Sequence, residues 1–272
     1  MIAAIRSEIL KLTSVRLWWV LLLILVGYVG FTAALLAGLF GALGDQMSAQ
    51  EGAPQFPDGL LPPIVYSTAT AIGYVFPLIL GALAVTSEFR YQTLTPTFLA
   101  QPRRSVVLGA KLVVLAVAGA LYGVAALVAS VGLGAPVLTL VGVPAGLDDG
   151  DTWLLMARVV LAMALWAAIG VGLGTLIPNQ VASIVIVLAF TQFLEPILRV
   201  GTSFIEWTAA VGRFLPGAAS DALVGASVFT SLGSGTATVE PLEWWQGGLV
   251  LAAYGAVVAV IGALTTWRRD VT

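Results

Sequence analysis

Two long stretches without a charged residue constrain the fold of this chain more than any other feature of its sequence. Residues 59–87 and residues 112–147 contain no Asp, Glu, Lys or Arg. Each stretch is longer than the ~20 apolar residues that cross the hydrocarbon core of a bilayer as a helix. Hydrophobic residues make up 59% of the chain, and its mean hydropathy is +1.01. The sequence therefore predicts an all-α protein that crosses a membrane several times.

Hydropathy and turn residues divide the chain into six predicted spans. These are residues 17–44, 63–86, 106–134, 152–177, 181–198 and 246–267. Residues 1–16 place Ile2, Ile5, Ile9 and Leu12 on one helical face, which favours a helix lying at the membrane surface over an unstructured basic leader. Residues 199–245 are only moderately apolar, and they predict short helices folded back into the outer leaflet.

The distribution of positive charge predicts the orientation of these spans. The inner segments hold nine of the twelve basic residues and the outer segments hold three, which fits the excess of Lys and Arg on cytoplasmic loops. The nine are Arg6, Lys11, Arg16, Arg90, Arg103, Arg104, Lys111, Arg268 and Arg269, and the three are Arg158, Arg199 and Arg213. Both termini and the loop of residues 87–105 are therefore predicted to be cytoplasmic.

The loop of residues 87–105 contains an acid that membrane topology does not require. Glu88 contributes neither to the positive charge of the loop nor to the length of a span. We therefore interpret the loop as a contact surface for a cytoplasmic partner. For Arg90, Arg103 and Arg104, a role in topology alone is an equally good explanation.

Residue types that the chain lacks exclude several kinds of chemistry. Cys and His are absent, and the two lysines, Lys11 and Lys111, are not preceded by glycine in a phosphate-binding loop. We predict no enzymatic activity, no cofactor and no metal site in this chain, and no nucleic-acid partner. Asp148, Asp149 and Asp151 fit a solvated outer loop better than a calcium site, because no glycine-centred ligand loop follows them.

One acid is predicted to lie inside a span. Glu195 precedes Arg199 by four residues, the spacing of a helical ion pair, and Arg158 on the neighbouring span is the alternative partner. In span two, Tyr66, Thr70 and Tyr74 recur every fourth residue before Pro77. Such a stripe faces protein or a cavity rather than lipid, and Pro77 predicts a kink.

Four sequence segments, in this order and at these topological places, carry a resemblance to a known family. They are SEILKLTSVRLWW, TSEFRYQTLTPTFLAQPRRSVVLGAK, GVGLGTLIPNQVASIVIVLAF with a following EP, and FLPGAASDAL. The chain resembles the membrane-spanning permease subunit of a type-2 ABC exporter, of the six-span kind common in actinobacteria. The resemblance extends over most of the chain.

The resemblance implies roles for three sets of residues. Residues 87–99 would dock into an ATPase subunit, with the N-terminal helix touching the same subunit; the contacts would be Ser87, Glu88, Arg90, Thr93, Phe98, Leu99, Arg6, Glu8 and Lys11. Spans two and five would line the pathway through Tyr66, Thr70, Tyr74, Thr191, Gln192 and Phe193. The outer gate would consist of Phe214, Leu215, Pro216 and Gly217.

The resemblance also implies the partners and the location. The partners would be two ABC ATPase subunits, which bind ATP and Mg²⁺, a second permease that is identical or paralogous, and membrane lipid. The location would be the bacterial cytoplasmic membrane. The sequence has no large outer domain and no charged residues in the predicted pathway, which suggests an amphipathic or apolar substrate: a drug, a peptide antibiotic or a lipid. The alternatives are an ion-coupled secondary transporter and a non-transporting scaffold or sensor subunit. The first needs a charged residue near the bilayer midplane, and none is predicted there, because Glu195 and Arg158 lie toward the outer side.

Overall fold

The described part of the chain is a bundle of helices. The computed structural model describes residues 1–48, 59–202, 206–226 and 240–267. The helices are α1 (Ile2–Ser14), α2 (Leu17–Ser48), α3 (Leu61–Ala71), α4 (Val75–Arg90), α5 (Leu94–Ala100), α6 (Arg104–Leu140), α7 (Gly150–Leu176), α8 (Gln180–Ala189), α9 (Glu195–Thr202), α10 (Glu206–Gly212), α11 (Pro216–Val224) and α12 (Trp244–Thr265). The predicted inner residues Arg268 and Arg269 and most of the predicted outer loop of residues 45–62 lie outside these ranges.

Six helical segments in the described ranges are long and apolar enough to cross a membrane. They are Leu17–Gly41, Leu61–Arg90, Arg104–Leu140, Gly150–Leu176, Gln180–Thr202 and Trp244–Thr265. The protein is therefore an all-helical, multi-pass membrane protein by length and composition, as the hydropathy predicts. The side of the membrane on which the termini lie stays a prediction.

The second span consists of two helices, α3 and α4, that meet at residues 72–74. Pro77 is the third residue of α4, and a proline ring clashes with the carbonyl four residues earlier, here that of Gly73. The break therefore lies one turn before Pro77. In α6, by contrast, Pro136 lies inside the helix, which continues to Leu140 rather than ending near residue 134. One missing hydrogen bond near the end of a 37-residue helix is not enough to terminate it.

The core of the bundle is built around α4, α6 and α7. Two glycines bring the backbones of α4 and α7 into contact: a Cβ on Gly81 would lie 2.8 Å from Val171 N, and one on Gly170 would lie 2.9 Å from the carbonyl carbon of Leu78. Gly119 of α6 faces α7 in the same way, with a hypothetical Cβ 2.6 Å from Ala167 Cβ. Small residues thus permit the close approach of these three helices.

One end of the bundle gathers α1, α5, the α7–α8 turn and the last turn of α12. Arg90 at the end of α4 donates to Gln180 Oε1 of α8 at 3.1 Å, and Arg104 Nη1 donates to the Trp267 carbonyl at 2.7 Å. The first and last described residues therefore lie at the same end. At the opposite end, α11 packs against α12 and α7, and Trp166 Nε1 of α7 donates to Ser220 Oγ.

Candidate functional site

Four charged side chains meet at the end of the bundle that carries α1 and α5. Lys111 Nζ lies 2.5 Å from Glu8 Oε2 and 3.0 Å from Glu88 Oε1. Lys11 Nζ lies 2.7 Å from Glu8 Oε1 and 2.8 Å from the same Glu88 oxygen. We call Glu8, Lys11, Glu88 and Lys111 the charge cluster. It joins α1, α4 and α6, and its formal charges cancel.

The charge cluster is buried, so its groups depend on one another for solvation. The side chains of Lys111, Glu8 and Glu88 are 1%, 4% and 7% exposed, whereas that of Lys11 is 35% exposed. Lys11 Nζ also contacts Thr97 Oγ1 of α5 at 3.3 Å. The cluster therefore fixes α5 as well as the three longer helices. Removing one member would leave a buried charge without its partner, which is more costly than the pair is favourable.

Electrostatic interactions inside the charge cluster favour the ionised forms of Glu8 and Lys11. Burial raises the pKa of Glu8, but the ammonium groups of Lys111 and Lys11 outweigh it and hold this pKa below the ordinary value. Burial lowers the pKa of Lys11, but hydrogen bonds to Glu8 and Glu88 outweigh it, so this pKa is raised. Both groups are charged at neutral pH.

The helix α1 has one face toward the bundle and one face away from it. Ile5 and Leu12 pack against the core as half-buried side chains, whereas Ile2 is 85% exposed and Ile9 is 46% exposed. The inner face of the helix carries Glu8, which the hydrophobic periodicity did not reveal. In this orientation Glu8 faces α6 and reaches Lys111.

Residues 87–99 divide into a buried part and an exposed part. The exposed part includes Arg90, Thr93 and Leu99, and Leu99 is 80% exposed. Ser87 and Phe98 are half-buried. Glu88 lies inside the protein, bound to two lysines, so it is not on the surface where the sequence predicts it to contact a partner; that role stays a prediction. In α1, Arg6 is exposed.

Trp267, which follows the C-terminal end of α12, contacts α5, and the sequence analysis did not predict this contact. The Trp267 ring meets Phe98 edge to face at a centroid distance of 5.4 Å and Phe89 at 6.0 Å. Trp267 Nε1 donates to the Arg104 carbonyl at 3.2 Å, and the Arg104 guanidinium lies 4.7 Å from the Phe98 ring centroid. A tryptophan just inside the last basic residues is an ordinary membrane-interface signal, so its partner could not be deduced.

The structure brings together only some of the predicted pathway residues. Tyr74 donates to the Thr191 carbonyl at 3.2 Å and stacks on Trp166 at 4.4 Å, so the break in span two touches span five. Tyr66 is buried and donates to the Ala145 carbonyl, and Thr70 is buried and donates to Ser67 O. These three side chains pack inside one chain. The side chains of Gln192 and Phe193 are instead exposed on the outside of the bundle.

Span five is interrupted at the predicted pathway residues by a π-helical turn, Phe190–Leu194. The turn follows α8 and precedes α9, and Glu195 is the first residue of α9. Inserted turns of this kind break the regular hydrogen-bond ladder and are frequent at functional sites. Tyr74 lies at the break between α3 and α4 and contacts Thr191 within this π-helical turn. The irregular backbone of span two therefore lies next to the irregular backbone of span five.

The acids and arginines near the other end pair differently from the prediction. Neither ion pair suggested for Glu195, with Arg199 or with Arg158, occurs among the described contacts: Arg199 binds Asp221 of α11, and Glu195 accepts from the Gly217 N–H of α11. Arg158 stacks on the Trp244 ring at 4.9 Å. Two side chains one turn apart on α9 therefore face two residues one turn apart on α11. The tertiary contact replaces the helical one.

The predicted outer-gate residues lie at the start of α11. Phe214 is 42% exposed, Leu215 is half-buried, and Pro216 and Gly217 are buried. Tyr254 of α12 donates to the Phe214 carbonyl at 3.2 Å. Among the residues that the structure describes, no group of three or more His, Cys, Asp or Glu side chains could hold a metal ion.

Comparison with known proteins does not assign the chain to a family. No protein-family sequence profile matches it, and no curated protein matches it significantly.

Proposed function

We propose that this chain is the permease subunit of an ATP-driven exporter of the type-2 ABC class. The observation that carries this proposal is α5, a seven-residue helix that follows span two and contacts Lys11 of α1, Arg104 of α6 and Trp267. It is held by the charge cluster through Thr97 and by Trp267 through Phe98, while Leu99 stays exposed. A short helix that is rigidly tied to the bundle and apolar on its outer side is suited to receive a push from a partner.

Within this proposal the buried and exposed residues of the 87–99 segment have different roles. Tyr91, Thr93 and Leu99, which are exposed, touch the ATPase. Glu88 and Lys11 position the helix from behind, so that movement of α5 is passed to α1, α4 and α6. The segment faces the cytoplasm, both termini are cytoplasmic, and the ATPase supplies the ATP and Mg²⁺.

Span five is the proposed contact with a second permease. Gln192 is a polar side chain facing outward from a membrane-spanning segment, and a lipid-facing amide lacks hydrogen-bond partners. A second copy, or a paralogue, placed against this surface would cover Gln192 and Phe193 and create a pathway between the two chains. The lack of described charged side chains on this exposed surface fits an amphipathic or apolar substrate.

The ATPase must supply the free energy that shifts the permease pair from one conformation to the other. Moving the permease pair from 1:99 to 99:1 between two conformations takes about 5.5 kcal/mol of differential interaction. ATP-driven closure of two ATPases would supply it by drawing the two α5 helices together. In this proposal the contacts of α5 with α1, α6 and Trp267 pass its movement to the rest of the bundle.

Co-purification with ABC ATPase subunits from the source genome tests this function. We expect a stable complex whose ATP hydrolysis depends on the permease. Leu99→Asp should abolish the complex, because it places a charge at the contact. Leu140→Asp is the matched control: Leu140 is 84% exposed but lies at the other end of the bundle. Equal loss in both variants, or no complex with any ATPase, would contradict the proposal.

One observation favours a second candidate, an ion-coupled secondary transporter. Glu195 is only 2% exposed, lies in a membrane-spanning segment, and has one carboxylate oxygen without a partner among the described residues. Buried acids in spans are typical of proton and ion relays. Transport by the chain alone in vesicles, driven by a pH gradient without an ATPase, would favour this candidate.

A further inference from the structure

The outer helix α11 is held at its N-terminus by a residue from another helix. Its own N-cap residue is Leu215, which makes no side-chain cap, and its first residue is Pro216, which has no N–H. The carboxylate of Glu195 on α9 instead accepts from the Gly217 N–H. A carboxylate at this position satisfies otherwise unpaired donors and interacts favourably with the helix dipole.

The sequence of α11 leaves room for this contact. A Cβ on Gly217 would lie 2.9 Å from the Glu195 carboxyl carbon, so only glycine admits the carboxylate without displacement. The second contact lies one turn further along both helices, where Arg199 binds Asp221. These two contacts attach α11 to the outer part of span five. We call them the latch.

The charges of the latch do not balance. Glu195 and Asp221 contribute two negative charges and Arg199 one positive charge. The other groups that interact electrostatically with Glu195 are the hydroxyls of Tyr74 on α4 and Tyr254 on α12, which are neutral. Arg199 forms an ion pair with Asp221, whereas no ion pair of Glu195 occurs among the described residues. The Oε2 atom of Glu195 is buried and makes no hydrogen bond to any residue that the structure describes.

We infer that Glu195 is a proton-binding site that controls the attachment of α11 to span five. An unpartnered oxygen on a buried carboxylate is where a proton would bind. Protonation removes the negative charge of Glu195 and replaces a charge-assisted hydrogen bond with a neutral one, which is roughly half as strong. The attachment of α11 is therefore strongest while Glu195 is ionised and weakens when it is protonated.

The consequence for transport rests on the proposed function. The latch joins the span that carries the predicted pathway residues to the helix that begins with the predicted gate residues. Acidification on the outer side would then favour opening of the gate, whichever substrate is carried. The latch itself depends only on the contacts between α9 and α11, so it is testable without an ATPase.

Distance measurements between spin labels test the latch directly, and the absence of cysteine in the chain makes labelling selective. Ile197→Cys on α9 and Phe214→Cys before α11 are both exposed positions, at 66% and 42%. The full chain in nanodiscs is labelled at both positions and examined by electron–electron double resonance at several pH values. We expect a longer component in the distance distribution as pH falls, and the same component in Glu195→Gln at every pH.

Two controls make the outcome specific. Asp148→Asn removes an exposed acid from the same end of the bundle and should leave the pH response unchanged. The pair Ile197→Cys with Leu121→Cys, which does not cross the latch, should show no shift. An unchanging distribution in the wild type overturns the inference, as does a Glu195→Gln protein that still responds to pH. If Glu195→Gln fails to fold, the wild-type titration remains decisive. Failure of this test leaves the ATPase co-purification result unaffected, so the two proposals fail separately.

Discussion

Lys111 Nζ lies 2.5 Å from Glu8 Oε2, although 103 residues separate the two in the chain. This pair brings the N-terminal helix onto the third span and the end of the second. Because Lys111 is 1% exposed, its charge is balanced almost entirely by Glu8 and Glu88. The position of α5, and with it the surface offered to a partner, depends on this balance.

Replacing Lys111 should destabilise the protein more than replacing Lys11. Lys111→Met leaves two buried carboxylates with one partly exposed lysine, a change that costs about 3–5 kcal/mol when a buried pair is broken. Lys11→Met is the matched control, and its effect should be smaller because water reaches Lys11. The measurement is thermal unfolding in detergent, followed by tryptophan fluorescence. Equal melting temperatures for the two variants would contradict a buried cluster.

The stability supplied by Glu8 should depend on pH in a defined direction. Its pKa is held below the ordinary 4.5, so its contribution is present above that pH and is lost as pH falls through the folded-state pKa. The pKa of Lys11 is raised above 10.5, so its contribution is present below that pH and is lost as pH rises through the folded-state pKa. A plateau lies between these limits.

Comparison of melting temperatures across pH checks this prediction. The difference between wild type and Glu8→Gln should be largest on the plateau and should close on acidification below the ordinary Glu pKa. Asp148→Asn, an exposed acid, should show a small difference that does not vary in this way. A constant difference between wild type and Glu8→Gln would mean that Glu8 is not stabilised as a carboxylate.

Removing the Trp267 ring should loosen α5. Trp267→Ala deletes a buried side chain that touches Phe89 and Phe98, and truncations of this kind cost about 3–5 kcal/mol. We expect a lower melting temperature and faster tryptic cleavage at Arg103 and Arg104. Trp207→Ala is the control, because Trp207 is 72% exposed. Unchanged cleavage in Trp267→Ala would show that α12 does not hold α5.

The cysteine-free sequence also allows a test of orientation. Tyr91→Cys lies at a 68% exposed position beside α5, and Asp148→Cys lies in an exposed loop at the other end. A membrane-impermeant maleimide added to intact cells should label Asp148→Cys, and should label Tyr91→Cys only after the cells are permeabilised. The reverse pattern would place α5 outside and exclude a cytoplasmic ATPase.

The sequence was sufficient to predict the membrane-spanning segments but not the contacts between them. Uncharged runs and turn residues predicted six membrane-spanning segments, because a bilayer imposes length and apolarity on each one. Pro77 correctly marked an irregular region in span two. Apolar periodicity indicated the helix α1 but not its contacts with the bundle, because Glu8 on its inner face binds Lys111, 103 residues away in the chain.

The pairing of acids with bases was the least predictable feature. Glu195 and Arg199 have the spacing of a helical ion pair, but such a pair contributes only ~0.2–0.5 kcal/mol. Each residue finds a better partner on α11, where Gly217 offers its backbone N–H and Asp221 offers a carboxylate. The same holds for Glu88, whose position in a loop suggested exposure. Its two lysine partners lie 77 and 23 residues away in the chain, and no local pattern reveals them.

Photocrosslinking from α5 tests the central claim most directly. A photoreactive amino acid replaces Leu99 in one protein and the equally exposed Leu140 in another, and both are irradiated in cells that contain the ABC ATPase subunits. We predict a covalent adduct between Leu99 and an ATPase subunit, identified by mass spectrometry, and none from Leu140. An ATPase adduct from Leu140 alone, or none from Leu99 while the ATPase is present, would contradict the account.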